Sequence, residues 1–255
     1  MGHTIVTSAI VLRRVAYGEA DLVVTLLGLE TGRVSALARG ARKSTRRFVG
    51  GLAPGLTGEA KLRDRRGAEL LGFEAFDVRS DRSRLAGDLA KTAHAAYAIE
   101  LCDRLCPPRQ PERTVFAWLD EFLARLEEGA ATATRLRVFE LGLLRALGLG
   151  PAFGRCCACG RADLGDEEVA FRPEAGGVCC AGCGKAAERM SAATRRALQR
   201  LGEASLAGAD AISFDRALAA ACRRVTLALL RQHVHGPLRS LEFIEKMSGA
   251  LSGSR

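Results

Sequence analysis

Residues 156–184 read CCACGRADLGDEEVAFRPEAGGVCCAGCG and contain two cysteine pairs that share one spacing. Cys156 and Cys159 form the first C-x2-C pair, Cys180 and Cys183 form the second, and 20 residues lie between the pairs. Two intervening residues allow one turn to present both thiolates to the same ion, which is typical of a tetrahedral zinc site. We therefore predict one zinc ion bound by these four cysteines. Because four thiolates leave no ligand position for water or substrate, the zinc is expected to be structural.

Two neighbouring cysteines, Cys157 and Cys179, leave the ligand set open at this point. Either could replace a member of the adjacent pair, which would give spacings of one or three residues. The spacing of two is favoured because both halves then match and a glycine directly follows each pair. The alternative interpretation of these residues is a set of structural or redox cysteines.

Composition limits the class of protein. The 255 residues are 48% hydrophobic, which suffices for a sizeable core and suggests one to three domains. The start of the chain lacks a secretory signal pattern, and no stretch of 18 uncharged apolar residues predicts a membrane span. With cysteines reserved for a metal, these features lead us to expect a cytoplasmic protein. The net charge of +9 favours a polyanionic partner, most often nucleic acid.

The first part of the chain has the alternating, β-branched pattern of short strands. Five strands are predicted: Thr4–Val15, Asp21–Leu29, Arg33–Arg39, Leu56–Arg63 and Ala68–Phe76. The last two form a predicted hairpin across Asp64–Gly67, and a loop over Gly40–Pro54 precedes them. Five short strands in about 75 residues predict a small antiparallel barrel, for which the OB-fold is the natural candidate. We assign residues 1–78 to this OB-fold domain.

The remainder of the chain has the three- and four-residue apolar periodicity of helices. Five helices are predicted: Arg82–Leu105, Pro111–Glu128, Thr132–Leu147, Ser191–Leu201 and Ser213–His233. We predict an α+β multidomain protein in which the OB-fold barrel is followed by an α-helical domain over residues 79–150 and 190–245. The four-cysteine zinc module at 151–189 is inserted into this domain, and residues 246–255 are predicted to be a flexible tail.

A basic loop is predicted to leave the third strand of the barrel. Residues 33–47 contain six basic residues and no acidic one: Arg33, Arg39, Arg42, Lys43, Arg46 and Arg47. Cations of this kind can converge on a phosphate backbone, and a barrel with a basic loop is a common platform for single strands. The alternative is a charged loop that is simply solvated. Stacking aromatics are limited to Tyr17, Phe48, Phe73 and Phe76, so we expect backbone binding without sequence readout and with strong salt dependence.

Catalytic motifs are missing from the sequence. It contains no zinc-deaminase H-x-E pattern, no P-loop, no G-x-G-x-x-G and no G-x-S-x-G. We therefore expect a protein that is not an enzyme. A nucleic-acid enzyme with an unrecognised site is the alternative, and a convergent polar pocket with displaced pKa values would favour it.

The order of these parts resembles the RecO family of bacterial DNA repair and recombination mediators. The residues that carry the resemblance are Ala9–Arg14, Tyr17–Asp21, Thr31–Arg42, Phe139–Leu141 through Leu147–Pro151, Phe171–Gly177 and His235–Ser240. The resemblance covers nearly the whole chain. Its combination of segments is specific, although no single segment is.

The resemblance implies a protein that binds single- and double-stranded DNA and anneals complementary strands. It also implies work with RecR and RecF to load RecA onto DNA coated by single-strand binding protein (SSB), and contact with the acidic C-terminal tail of SSB. We expect the chain to be associated with the nucleoid, and to be a monomer by itself because no long exposed heptad predicts a coiled coil. The DNA-binding residues expected by position are Arg39, Arg42, Lys43, Arg46 and Arg47, to which Arg13 and Arg14 are added.

A site for the acidic SSB tail requires an apolar groove rimmed by arginines. Two predicted helices offer candidates: Arg135, Arg137 and Leu144 on the first, and Arg223, Arg224 and Arg231 on the second. The alternative is that these arginines are solvated or form a second DNA face. A different function, that of a zinc-ribbon RNA- or ribosome-associated binding protein, also predicts salt-sensitive binding, and annealing of complementary DNA distinguishes the two.

Overall fold

The computed structural model describes residues 2–44, 46–64, 69–184 and 188–252 and divides the chain into two compact units. The first unit comprises Met1–Ala130 and Pro237–Arg255, and the second comprises Ala131–Gly236. This grouping follows packing, whereas the limit at residue 78 follows the change from strands to helices. The domain limits given above therefore stay a prediction.

The first unit contains a closed five-stranded barrel with the strand order β1-β2-β3-β5-β4. Its strands are β1 His3–Tyr17, β2 Asp21–Gly28, β3 Gly32–Ala38, β4 Thr57–Asp64 and β5 Leu71–Ser80. β1 closes the ring by antiparallel pairing with β4, and β3 closes it by a short parallel pairing with β5. This is the five-stranded arrangement of an OB-fold, as predicted. The predicted strand start at Ala68 and the turn residues 65–67 lie outside the described residues.

An aromatic cluster fills the core of the barrel. The rings of Phe48 and Phe73 lie 5.2 Å apart and those of Phe73 and Phe76 lie 6.0 Å apart, both edge to face. Phe48 comes from the long segment between β3 and β4, and the backbone N–H of Phe76 donates to the carbonyl of Arg47 at 2.9 Å. The far end of the basic loop is therefore anchored in the core.

Three helices complete the first unit: α1 Leu89–Leu105, α2 Arg113–Glu128 and α6 Arg239–Ser252. α6 is not predicted from the sequence, which indicates a flexible tail over 246–255. Its first turn is held by Glu100 of α1, whose carboxylate accepts from the backbone N–H groups of Arg239 at 3.2 Å and Ser240 at 2.9 Å. Because this cap comes from a residue about 140 positions away, no local pattern announces the helix.

The first helix begins at Leu89 and not at the predicted Arg82. Asp88 caps it by accepting from the backbone N–H groups of Ala90 and Lys91. The preceding residues form a single 3₁₀ turn, and Arg82 has a left-handed φ of 54°. The Arg82 guanidinium reaches α2, where it pairs with Asp120 and lies 3.0 Å from Glu127. These contacts replace the turn of helix expected from periodicity.

The second unit combines three helices with a small sheet. Its elements are α3 Ala133–Ala146, β6 Ala152–Cys156, β7 Val169–Arg172, β8 Gly177–Cys179, β9 Glu188–Met190, α4 Ala192–Glu203 and α5 Arg216–Arg231. The strands form a four-stranded sheet in the order β6-β8-β7-β9. Thr132, Ser191 and Asp215 cap the three helices through their side chains. The helix predicted to begin at Ser191 is thus capped by that residue. None of the described helices has the length and apolarity needed to cross a membrane.

Candidate metal centre and nucleic-acid interface

The four predicted ligands meet at one end of the small sheet. Cys156 ends β6 and Cys180 directly follows β8, and these two strands pair in parallel. The Sγ atoms of Cys156, Cys159, Cys180 and Cys183 all lie within 4.8 Å of one another, and those of Cys159 and Cys180 are 3.9 Å apart. A tetrahedral zinc site with Zn–S bonds of about 2.3 Å places its sulfurs about 3.8 Å apart. The cluster therefore fits one zinc ion.

Glycines shape both cysteine turns. The N–H of Gly160 donates to the carbonyl of Cys156 at 2.9 Å, and Gly160 has a left-handed φ of 76°. The N–H of Gly184 donates to the carbonyl of Cys180 at 3.0 Å. A Cβ on Gly184 would lie only 2.1 Å from the Cβ of Ala170, so no larger residue fits there. These constraints explain why a glycine follows each pair.

The electrostatics of the cluster call for a cation. Burial raises the pKa of the Cys156 thiol, but backbone N–H groups, first that of Cys159, outweigh this effect and lower it to about 6. Hydrogen bonds with Cys180 and Cys159 raise the pKa of Cys183 to about 12. Sulfurs this close cannot all carry a negative charge without a counterion. A bound divalent metal would supply that charge.

The two extra cysteines form a separate pair. The Sγ atoms of Cys157 and Cys179 lie 2.9 Å apart, and neither belongs to the four-sulfur cluster. Burial, together with the neighbouring Cys157 thiol, raises the pKa of Cys179 to about 12. Because the pKa of Cys183 is raised to the same value, this shift does not distinguish the two ligand sets, whereas the positions of the sulfurs do. The geometry therefore favours the ligand set with two-residue spacing.

The basic loop is fixed to the neighbouring β1–β2 turn. Gly40, with φ 65°, redirects the chain after β3, and its N–H donates to the Asp21 carboxylate at 2.7 Å. The backbone N–H of Arg42 donates to the carbonyl of Ala20 at 3.0 Å, and its guanidinium donates to the carbonyl of Glu19 at 3.0 Å. The start of the loop is thus held in place by the barrel.

The cations of this loop carry uncompensated charge. Arg39, Arg42, Lys43, Arg46 and Arg47 are all exposed. Among the described residues, no carboxylate forms an ion pair with any of the five. Other exposed arginines of the chain do pair with a carboxylate. The guanidinium of Arg79, for example, lies 3.2 Å from the carboxylate of Glu59. Arg47 lies over the Phe48 ring at 5.3 Å and donates to the carbonyl of Arg39, contacts that leave its charge in place. The predicted loop therefore has the charge needed to bind phosphates.

Arg13 and Arg14, the two added candidates, are exposed but engaged within the chain. The Arg13 guanidinium forms an ion pair with Asp103 at 3.1 Å, and Arg14 donates a hydrogen bond to the carbonyl of Gly51. Phosphate would have to compete with these partners. The structure therefore favours the loop cations over these two arginines.

The expected arginine rim on the helix at 132–147 requires correction. Every residue of α3 from Arg135 to Leu144 is buried. Arg135 is 3% exposed and pairs with Asp210 at 2.5 Å, while Arg137 lies 2.6 Å from the fully buried Glu140. Other elements surround α3, so these arginines are buried inside the second unit, where carboxylates balance their charge. They, and Leu144, are not available to a surface groove.

The candidates on α5 have a different environment. Arg224 and Arg231 are exposed and Arg223 is half-buried. Arg224 lies 3.5 Å from Glu188 in a surface ion pair. Because Arg135, Arg137 and Leu144 are buried, the six named residues do not form the two-helix groove expected from the sequence.

A groove on the barrel adds residues that the sequence did not single out. It has a volume of about 790 Å³ and lies where β3 pairs with β5. Leu37, Arg39, Arg47, Arg63 and Glu69 are among the residues that line it. Arg63 belongs to β4 and pairs with Glu74 at 2.5 Å. No local signal could place Arg63 beside the basic loop, since the barrel closure brings them together.

Comparison with known proteins agrees with this architecture. The family model described as "Recombination protein O N terminal" matches residues 1–81, and "Recombination protein O C terminal" matches residues 86–242. The chain is 40% identical to DNA repair protein RecO of Anaeromyxobacter sp. (strain K), over 97% of this chain and 98% of the relative. It is 35% identical to the proteins of that name from Geobacter sulfurreducens, over 96% and 99%, and Myxococcus xanthus, over 94% and 96%.

Proposed function

Because the chain belongs to the RecO family, we propose that this DNA repair and recombination mediator anneals complementary single strands and helps to load RecA onto SSB-coated DNA. Membership of this family supports a role in DNA repair. The annealing step is supported by the chemistry of the barrel. Its working surface is the basic loop between β3 and β4.

The single observation that carries this proposal is the group of five exposed loop cations that have no carboxylate partner among the described residues. Two complementary strands repel each other through their phosphates, so annealing requires a surface that screens both backbones. Such a surface must also release the bases so that they can pair. A set of exposed cations without carboxylate partners meets both requirements, because phosphate contacts carry no sequence information and exchange with salt.

The remaining parts of the chain have supporting roles in this proposal. The four cysteines hold one zinc ion that stabilises the module between α3 and α4 and leaves no position for substrate. RecR and the acidic tail of SSB are the direct protein partners, and RecF and RecA are reached through them. Arg224 and Arg231 remain the exposed candidates for the SSB tail. The protein then acts in the cytoplasm, at the nucleoid.

Annealing of complementary strands coated with SSB tests the proposal. A loop variant changes Arg39, Arg42, Lys43, Arg46 and Arg47 to Gln. A matched variant changes five arginines that already have carboxylate partners, of which three are exposed and two half-buried: Arg79, Arg113, Arg196, Arg125 and Arg172. Both variants have the same net charge. We expect annealing by the wild type and the matched variant, and its loss in the loop variant.

Two results would contradict the proposal. A folded, zinc-loaded wild type that does not anneal DNA would exclude the mediator function and bring the RNA-binding alternative forward. Equal loss of annealing in the loop variant and the matched variant would show that net charge, and not the loop, determines the activity.

A further inference from the structure

Tyr17 is an aromatic residue exposed to solvent at the end of β1. Its side chain is 59% exposed, whereas Phe48, Phe73 and Phe76 are each buried in the barrel core. Val15, two residues earlier on the same strand, is 46% exposed. Residues two apart on a strand project from the same face. Tyr17 and Val15 therefore form a continuous apolar surface that the barrel does not cover.

The strand register places this surface on the outside of the barrel. Val15 lies opposite Val23 of β2, and Val23 lies opposite Leu37 of β3. Opposite residues project to the same side of a sheet, and both Val23 and Leu37 are half-buried. The outer face thus carries a strip of side chains that runs from Tyr17 through Val15 and Val23 to Leu37.

A cation of the basic loop lies near each end of this strip. Tyr17 lies opposite Asp21, whose carboxylate accepts from the N–H of Gly40 at the start of the basic loop. The Arg42 guanidinium donates to the carbonyl of Glu19, two residues beyond Tyr17. At its other end the strip reaches Leu37, which lines the groove of about 790 Å³ together with Arg39 and Arg47. An exposed cation of the basic loop therefore lies near the apolar side chains at each end of the strip.

We propose that Tyr17 is a stacking site for an unpaired nucleobase, and that single-stranded DNA crosses the barrel along the strip from Tyr17 to the groove. This inference rests on the proposed DNA-binding function and adds a base contact to it. The occupant follows from charge and shape. A single strand offers exposed base faces for the ring and phosphates for the cations. Bases in a duplex are already stacked on each other and cannot use the ring.

The test compares Tyr17→Ala and Tyr17→Phe with the wild type on a single strand, on a duplex, and on a single strand of equal length with abasic sites. Stacking on one aromatic residue predicts that Y17A lowers affinity for the single strand by about 5- to 150-fold. Y17F retains the affinity because it keeps the ring. Duplex affinity stays within about twofold in both variants. On the abasic strand the wild type falls to the affinity of Y17A, because the stacking partner is missing.

Val6→Ala is the matched control, since Val6 is 54% exposed on β1 but lies opposite Lys61 of β4, away from the strip. It should bind all three DNAs as the wild type does. Wild-type affinity for the single strand in Y17A, or an equal loss on single strand and duplex, would overturn the stacking site while leaving the proposed function intact. A folded wild type that binds neither DNA would overturn both. If Y17A lost binding to an acidic peptide while its DNA binding stayed unchanged, the strip would belong to a protein partner and the proposal would be overturned.

Discussion

Neutralising three cations of the basic loop should reduce the salt dependence of DNA binding by more than half. The change is Arg39→Gln, Lys43→Gln and Arg46→Gln. These three side chains are exposed, and among the described residues no carboxylate pairs with them. Their removal should leave the loop backbone in place, because the anchoring contacts come from Gly40, Arg42 and Phe48.

The expected magnitude follows from the number of available cations. For a single strand, each neutralised phosphate contributes about −0.7 to the slope of log K against log salt. Five loop cations predict a slope of about −3.5, and the two that remain in the variant predict about −1.4. Between 50 and 200 mM salt, the affinity of the wild type should fall by roughly 130-fold and that of the variant by roughly 7-fold.

Fluorescence anisotropy with a labelled oligonucleotide measures both slopes across a salt series. The matched control changes Arg79, Arg113 and Arg172 to Gln, which removes the same formal charge from arginines that already pair with Glu59, Glu30 and Glu174. We expect the slope of this control to stay close to that of the wild type. Equal reduction of the slope in both triple variants would contradict this prediction, because net charge would then account for binding without a particular surface.

Three further predictions concern the metal and the cores. Cys180→Ser should lose the bound zinc, whereas Cys179→Ser should retain about one ion per chain by metal analysis, because only the former belongs to the cluster. Gly32→Ala should lower the free energy of unfolding more than Gly18→Ala does. A Cβ at position 18 meets open space, so Gly18→Ala carries only the cost of a left-handed backbone conformation, about 1–2 kcal/mol. Glu140→Gln should cost about 3–5 kcal/mol in urea unfolding of the second unit, because it leaves a buried arginine without its anion.

Each of these predictions has a result that contradicts it. Zinc loss in Cys179→Ser would show that the 2.9 Å pair takes part in coordination. Equal destabilisation at the two glycines would mean that the chain near Gln110, whose carbonyl oxygen lies 1.9 Å from a Cβ built on Gly32, moves aside without cost. A neutral effect of Glu140→Gln would show that Arg137 finds another acceptor inside the unit.

The barrel and the metal cluster could be predicted because their signals are local. Alternation with period two predicts strands wherever one face is buried, as along β3, where Val34, Ala36 and Ala38 point inward. The C-x2-C spacing likewise fixes which thiolates can share one turn. In both cases the signal lies within a few residues, although the contacts that complete the barrel and the cluster join distant parts of the chain.

The features that sequence reasoning missed depend on distant partners. Glu100 caps α6 from another helix, and the parallel pairing of Ala36 with Leu71 closes the barrel and forms the groove. The arginines of α3 gave a misleading signal, because Asp210 and Glu140 take up their charge inside the unit. Charge alone does not distinguish a solvated arginine from a buried one whose anion lies elsewhere in the fold.

The exposure of Tyr17 depends on one irregularity in β1. Ala9 and Val11 point into the barrel core, so strict alternation would also direct Val15 and Tyr17 inward. The register with β2 shifts between Val11 and Arg13, which inserts one extra residue at Leu12 and inverts the alternation beyond it. Tyr17 consequently lies opposite Asp21 on the outer face, beside the basic loop. A bulge of this kind has no reliable sequence pattern, so the sequence could name Tyr17 only as one of four aromatic candidates, and the folded chain separates it from the three buried phenylalanines.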